Sequence, residues 1–324
     1  MNYYPILIPT LNRYHHFKEC VESLSRCKHA DKTELIIGLD YPPSEVYEEG
    51  FRQIKSYIPI IEGFGKVTVF EHTANLGPGG NMRFLIDYCK KFYGAFIVTE
   101  DDNVFSPSFL DYMNQALDLF WDNERIITVS GYNDEAAYNQ GKFTCYLSKD
   151  NCAWGIGHWF HKEEQLKTIL GNFDFFKHVV YSRNEARKIL TTYPVLYSML
   201  NDMVLEELRW GDVMRTTVNI VKETFQLKPA ISLVRNCGYD GSGVNCGLND
   251  NFNRSHQLIS NSFSFDFSIG VGPFDTEINR HTLYYYNLPK DTNDAEKTLA
   301  HCKRLYCINT SPFAFLYRLF RKRH

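Results

Sequence analysis

The sequence predicts an α/β fold, a mainly parallel sheet with helices on both faces, and three observations predict it. Over the first 130 residues, short apolar runs alternate with segments whose apolar residues recur at helical spacing. The runs are near-continuously apolar, as in strands buried on both faces. Most end in Pro, Asp or consecutive acids, which break a strand and open a loop. Alternation of this β-α-β-α kind returns the chain to one sheet in parallel.

Residues 4–8 form the first apolar run, and Pro9-Thr10 breaks it. Phe17, Cys20, Val21 and Leu24 follow at helical spacing. Residues 35–39 are a second buried strand, ended by Asp40 and the Pro42-Pro43 stop. Val46, Tyr47, Phe51 and Ile54 mark a helix, residues 67–70 a third strand, and Met82, Leu85, Tyr88, Cys89 and Phe92 another helix. Residues 95–99 are the fourth strand. Phe109, Leu110, Met113, Leu117 and Phe120 then give a helix, and residues 126–130 a strand. In such sheets ligands bind beyond the carboxyl ends of the strands. Pro9-Thr10, Asp40, Asn75 and Glu100-Asp101-Asp102 all lie just past strand ends, so one sheet edge collects them. From about residue 135 the pattern changes, with frequent Gly, Asn, Trp and Cys, and residues 250–310 give only weak signals.

Composition narrows the function. A chain of 324 residues, 44% hydrophobic and 23% charged, is a folded, soluble protein with a sizeable core. Its net charge of −3 argues against general nucleic-acid binding. No run approaches the roughly 18 uncharged apolar residues of a membrane span, and residues 1–4 lead directly into a strand without a signal peptide. Nine cysteines, an odd number with no C-x-x-C pair, point to reduced thiols and a cytoplasmic setting. Residues 312–324 mix Phe, Leu and Tyr with Arg and Lys. That pattern suits an amphipathic tail lying peripherally on an anionic membrane face, and equally a docked terminal helix with a solvated end.

Three constellations carry the chemistry. Glu100-Asp101-Asp102 sits where a buried strand emerges into a loop. Adjacent carboxylates repel one another unless a cation sits among them, and hard ions such as Mn²⁺ or Mg²⁺ favour oxygen ligands of this kind. An acidic surface turn is the plainer alternative. Pro9-Thr10-Leu11-Asn12-Arg13 closes the first strand and can offer hydrogen bonds to a base and a charge to a phosphate; an ordinary turn with an Asn cap would look the same. Residues 75–83, Asn-Leu-Gly-Pro-Gly-Gly-Asn-Met-Arg, place three glycines before a helix, where backbone amides and Arg83 can meet an anion. The loop lacks the G-x-G-x-x-G spacing and follows the third strand, so it is not the dinucleotide fingerprint.

Together, residues 8–13, Asp40 after the second strand, the Asn75-Leu76-Gly77 loop and Glu100-Asp101-Asp102 resemble the GT-A glycosyltransferases. The E-D-D form is similar to the inverting N-acetylglucosaminyltransferase I group and to bacterial polysaccharide transferases. The resemblance implies that the acidic "DxD" element holds a metal–nucleotide diphosphate, with Asp102 as the metal ligand and Glu100 and Asp101 orienting the donor. It implies further donor contacts from Pro9, Thr10, Asn12, Arg13, Asn75, Gly77, Gly80 and Arg83, with Asp40 reading uracil. Residues 149–159 resemble the family's Trp-Gly segment, which implies that Trp154, Gly155 and Trp159 serve the donor-sugar and acceptor cleft; a Trp-rich turn is also a common core element. Residues 209–215 resemble the family's W-D-D-W-M-R element, whose aspartate is the catalytic base. Asp212 keeps the acidic position, while Gly211 replaces one acid and Val213 the second Trp. Asp202, Glu206 and Glu207 are rivals for that role. Residues 232–246 resemble the close of the bacterial catalytic domain, with glycines for a loop over the diphosphate.

The implied organisation is a nucleotide-sugar-binding half at 1–135, an acceptor and base half at 136–250, and an extension at 251–324. The implied activity is metal-dependent, inverting transfer of a sugar from a nucleotide diphosphate, a UDP-sugar, to a hydroxyl of a glycan or lipid-linked saccharide in bacterial surface polysaccharide synthesis. A nucleotidyltransferase acting on sugar phosphates is the nearest enzyme alternative, but residues 9–12 lack its Gly-rich, basic loop after the first strand. A non-catalytic carbohydrate-binding protein would explain the aromatics but not three acids beside a glycine loop.

Overall fold

The computed structural model describes residues 2–134, 144–242, 250, 254–267, 288–289 and 291–312. The chain divides into two compact units. The first comprises Met1–Tyr146, Cys152–Glu163 and Leu227–Gly270, and the second Leu147–Asn151, Glu164–Gln226 and Val271–His324.

The expected alternation runs through the first unit. Strand β1 (Ile6–Thr10) leads to α1 (Tyr14–Ser25), β2 (Glu34–Leu39) to α2 (Glu48–Tyr57), and β3 (Lys66–Glu71) to α3 (Gly77–Cys89). Next come β4 (Ala95–Val98), β5 (Asn103–Phe105), α4 (Phe109–Leu119) and β6 (Ile126–Ser130). Strands β7 (Cys145–Ser148), β8 (Ile156–Trp159), β9 (Phe225–Pro229) and β10 (Val234–Asn236) come later in the chain. The sheet order is β3-β2-β1-β4-β8-β6-β9-β7. Strands β3, β2, β1 and β4 pair in parallel, and β8 runs antiparallel between β4 and β6. A separate antiparallel ribbon joins β5 to β10.

Leu7, Ile36 and Phe96 pack with Leu85 and Cys89 of α3. Their strand neighbours Ile6, Ile8, Leu35, Ile37, Ala95 and Ile97 alternate to the opposite face and are equally buried, so both faces are covered. This is why the runs read as continuously apolar. Pro9 and Thr10, expected to end the first strand, lie inside β1 and pair with Gly38 and Leu39. Leu7 O accepts from Thr99 N on the β4 side, and Pro9, two residues on, faces that side where β4 has ended. Its missing N–H therefore costs no ladder bond.

The approach of α3 to β2 depends on Gly38. Asn81 Nδ2 donates to Gly38 O at 2.8 Å, and its Oδ1 lies 3.1 Å from His72 Nε2. A Cβ on Gly38 would stand 2.0 Å from Asn81 Oδ1. Gly38→Ala is expected to cost about 1–3 kcal/mol, as overpacking of a close-packed interior does. A chemical-denaturation midpoint equal to that of the wild type would refute this.

Glu34 at the head of β2 ties the sheet edge together. Its carboxylate accepts from Thr68 Oγ1 and Tyr93 Oη, both at 2.5 Å, and pairs with Lys66 Nζ at 2.8 Å. Burial alone would raise this carboxyl, but those three partners outweigh it and hold the pKa below the ordinary 4.5. The unfolded chain then binds the proton more readily than the folded one. Stability from Glu34 is present above pH 4.5 and lost as pH falls through the lower folded value. Glu34→Gln should flatten that part of the acid limb in a pH series of unfolding midpoints; an unaltered acid limb would count against it.

The second unit is mainly helical. It contains most of α5 (Phe160–Gly171), then α6 (Phe173–Tyr181), α7 (Arg183–Thr192), α8 (Pro194–Leu205), α9 (Gly211–Lys222) and α10 (Thr292–Asn309). Asn172 and Ser182 cap α6 and α7 through their side chains. Helix α10 falls where the sequence gave weak signals. Asp291 caps it by accepting from the Asn293 and Asp294 amides, and its other end is held by Asn309 Nδ2, which donates to Asn201 Oδ1 at 2.8 Å. Residues 313–324 of the basic tail and 243–246 of the expected diphosphate loop lie outside the described residues. Among the described residues no helix is long and apolar enough to cross a membrane, and all cysteines are free.

Candidate active site

The parallel strands β2, β1 and β4 deliver the expected residues to one edge of the first unit. Past β4, Asp101 and Asp102 turn inward and are buried, while Glu100 is exposed. Thr10 Oγ1, at the end of β1, donates to Asp101 Oδ2 at 2.8 Å. Arg13, at the start of α1, donates through Nη2 to Asp101 Oδ1 and through Nη1 to Asp102 Oδ2 at 2.8 Å. Burial by itself would lower the guanidinium pKa, but Asp101 and Asp102 outweigh it and hold Arg13 charged. The cation that adjacent buried carboxylates require is thus supplied by the chain itself. Asp101, expected to orient the donor, instead has both oxygens engaged inside the protein.

The other oxygen of Asp102 is held from a distant part of the chain. Asn236 Nδ2 donates to Asp102 Oδ1 at 3.0 Å and to Asn103 Oδ1 at 3.1 Å. Asn236 pairs with Asn103 in the β5–β10 ribbon, and Cys237 N donates to Asp102 O at 2.8 Å. Gly238 then passes so close that a Cβ there would lie 2.2 Å from Asp102 Oδ2. The described part of the loop expected over the diphosphate therefore forms a wall of the Asp102 site. Beyond it, His16 Nε2 of α1 meets Asp240 Oδ2 at 2.8 Å. Asn236, Gly238 and this His–Asp pair were not singled out from the sequence; the tight Asn-x-Gly after a strand was the available signal.

Past β2, Asp40 acts as a tertiary cap for α3. Its Oδ1 accepts from Leu76 N at 2.8 Å and from Tyr41 N at 2.9 Å, and Asn75 Nδ2 approaches Oδ2 at 3.4 Å. Asn75 Nδ2 also donates to Tyr41 O at 2.6 Å. The expected glycine loop is the first turn of α3 itself. With the Leu76 amide capped and Pro78 lacking one, the amides of Gly77 and Gly79 are the first-turn donors left over, whereas Gly80 lies where intrahelical bonding begins. A Cβ on Gly77 or Gly79 would meet nothing within 4 Å; the left-handed φ of +68 favours glycine at 77, whereas the protein's own packing does not require one at 79. Arg83 is exposed one turn further on, and Asn12 lends its backbone to close packing against Gly50.

Two of the three Trp-Gly residues are core. Trp159 is 0% exposed, its Nε1 donates to Leu117 O at 2.9 Å, and Lys162 Nζ stands 3.5 Å over its ring. That lysine is pinned by the carbonyls of Phe120, Asn123 and Ile126 at 2.7–3.0 Å. Gly155 has φ +61, and a Cβ on it would press on Val234, Phe109 and Phe105 at 2.9–3.1 Å. Only Trp154 is partly open; it lies edge-on to Tyr132 at 4.7 Å, with the Arg254 guanidinium 5.7 Å from its ring. Arg254 also bonds Tyr239 Oη at 3.0 Å and pairs with Asp134 at 3.5 Å.

In the second unit, Asp212 is exposed in the first turn of α9, where a carboxylate complements the helix dipole. Asn151 Nδ2 donates to Asp212 Oδ1 at 2.8 Å, and Asn151 N donates to Thr216 Oγ1 at 3.0 Å. The rivals are set apart by a break in the helix. Helix α8 ends at Leu205, and Glu207 takes a left-handed φ of 55, so the residues from 202 to 212 do not share one helix face. Asp202 is half-buried beside Asn201 Nδ2 at 3.1 Å, while Glu206 and Glu207 are exposed.

Asp102 fits a hard divalent cation of the kind the resemblance implies. After Arg13 and Asn236, each oxygen of this carboxylate retains acceptor capacity. Among the described residues no group of three or more His, Cys, Asp or Glu side chains forms a protein-only metal cage. A cation bound through one carboxylate and completed by substrate phosphates and water needs no such cage.

The glycosyl transferase family 2 model matches residues 6–133, the segment that carries β1 to β6 and the acidic element. The match spans that segment, and the sheet that carries it is α/β, mainly parallel over β3, β2, β1 and β4. Among solved structures, Staphylococcus aureus TarS 1-349 is similar at 11% identity and TM-score 0.41, over 71% of this chain and 58% of that one. The mannosyltransferase PcManGT from Pyrobaculum calidifontis, solved with GDP-Man and Mn²⁺, is similar at 11% identity and TM-score 0.39, over 68% of this chain and 74% of that one. Mouse xyloside xylosyltransferase 1 is similar at 12% identity and TM-score 0.41, over 81% and 94%. This chain spans only 29% and 58% of the two TarS chains it matches first. Likeness at this level carries no inference about substrate. No curated protein matches the sequence.

Proposed function

We propose that the protein is a metal-dependent, inverting glycosyltransferase that moves a sugar from a UDP-sugar to a hydroxyl of a glycan or lipid-linked saccharide in bacterial surface polysaccharide synthesis. The observation that carries this reading is Asp102, fixed past β4 by Arg13 and Asn236 on the edge where β2 and Asp40 set the open first turn of α3. Donor binding belongs to residues 1–135, acceptor binding and the base to 136–250, and residues 251–324 are an extension. In a cytoplasmic enzyme its basic end at 312–324 meets the membrane face that presents a lipid-linked acceptor.

Each residue has a defined task. The amides of Gly77 and Gly79, with Arg83, donate hydrogen bonds to phosphate oxygens at a helix N-terminus. Asp40 and Asn75 shape the base site, with Pro9, Thr10 and Asn12 at the end of β1 beside it. Asp102 would hold a Mn²⁺ or Mg²⁺ ion, which would supply Lewis-acid neutralisation of charge on the departing diphosphate. Glu100, exposed beside it, faces the donor sugar, and Trp154 offers an apolar ring to a sugar face. Asp212, oriented by Asn151, takes the proton of the acceptor hydroxyl. The new C–O bond forms at the anomeric carbon as the C–O bond to the diphosphate breaks on the opposite face, which inverts the centre.

A thermal-shift screen of nucleotide sugars with and without Mn²⁺, followed by assay of released nucleoside diphosphate, tests the reading. Stabilisation by a uridine nucleotide that needs Mn²⁺, with slow release of UDP, is expected. Absence of stabilisation by any nucleotide would refute it, and stabilisation by a saccharide alone would point to simple carbohydrate binding.

A further inference from the structure

Arg13 bridges two carboxylates, one nitrogen to each, instead of forking onto one. The two bridged acids are not equivalent. Asp101 has a second anchor in the Thr10 hydroxyl on β1 and is buried against the strand end. The second anchor of Asp102 is the neutral amide of Asn236, so among the described contacts Arg13 is its charged partner. A divalent cation on Asp102 would share that carboxylate with the guanidinium, and two cations so placed repel one another strongly in a site only 4% exposed.

We propose that Arg13 is a built-in counter-cation that occupies the Asp102 carboxylate in the donor-free protein and must release it before a divalent cation binds there. The inference rests on the reading of Asp102 as the metal carboxylate. Released from Asp102, Arg13 keeps Asp101, and its planar fork suits the phosphate oxygens of an incoming nucleotide diphosphate. The exchange is favourable only when metal and nucleotide arrive together. The metal then satisfies Asp102 and the diphosphate satisfies the guanidinium, and no buried charge is left without a partner. Metal without nucleotide is held off, because it would have to displace Arg13 with nothing to receive it. Arg13 is thus a positioning residue that couples metal loading to donor loading.

The test is a Mn²⁺ titration of the full chain without nucleotide, following the paramagnetic resonance signal of free Mn²⁺. Arg13→Gln is expected to bind Mn²⁺ about tenfold or more tightly than the wild type, the order expected when a close competing charge is removed. Mn²⁺ alone should also raise the unfolding temperature of Arg13→Gln and leave that of the wild type unchanged. A purely structural role for Arg13 would lower stability without tightening metal binding. Should Arg13→Gln fail to fold without metal, Arg13→Lys, which keeps a cation but not the bridging fork, takes its place: tighter Mn²⁺ binding than the wild type supports the proposal, and unchanged binding overturns it. Equal Mn²⁺ affinity of wild type and variant, abolished in both by Asp102→Asn, would overturn the role of Arg13 and leave Asp102 as the metal carboxylate. No Mn²⁺ binding to either protein, with or without UDP, would overturn both.

Discussion

Asp102→Asn is expected to abolish Mn²⁺-dependent binding of a uridine diphosphate sugar. The substitution keeps the size of the side chain and removes its charge, so the Asn236 contact and the close pass of Gly238 still find a side chain of the same shape. Arg13 keeps Asp101 as a partner, so the fold survives. What is lost is the anionic ligand. Removing one member of a buried, hydrogen-bonded charge pair costs about 2–5 kcal/mol, which is roughly 30-fold to several-thousand-fold in affinity. Isothermal titration with and without Mn²⁺, alongside an unfolding curve, checks this. Nucleotide affinity equal to the wild type in a folded variant would remove Asp102 from the donor site.

Asp212→Asn is expected to leave donor affinity unchanged and to lower the transfer rate by about 10²–10⁴-fold, the usual contribution of a positioned general base. An aspartate is ionised at neutral pH without special tuning, so the geometry of the carboxylate matters more than its pKa. Part of that geometry comes from Asn151, which donates to Oδ1 at 2.8 Å. An asparagine at 212 keeps the shape but cannot accept the proton and remain neutral. Product formation under saturating donor, with donor affinity measured separately, distinguishes loss of the base from loss of binding. If Asp202→Asn or Glu206→Gln shows this pattern and Asp212→Asn does not, the base lies before the break at Glu207.

The parallel half of the sheet was legible because burial on both faces demands continuous apolar runs, as in residues 35–39, and because strand ends must be broken by polar residues such as Asp40. The gathering of Thr10, Asp40 and the acidic triplet at one edge follows from that topology alone. The helical second unit was far less legible. In α10 only Cys302, Leu305 and Asn309 are buried, a stripe too narrow to stand out, although Asp291 offered a capping signal. The role of Trp159 could not be read locally either. An indole suits a sugar face and a core equally, and what decided it was the Leu117 carbonyl at 2.9 Å, far away in sequence.

By itself, the sequence determined an α/β protein with an acidic element at the ligand edge of a parallel sheet, because strand periodicity and strand-end chemistry are local properties. Only the tertiary structure decided what each acid touches. Asp101 is turned to Thr10 and Arg13, and Asp102 is walled by Asn236 and Gly238 from more than 130 residues away. The physical reason is that a buried carboxylate must be matched by a donor or a cation. Which one matches it depends on what the fold brings within about 3 Å, and no spacing along the chain records that.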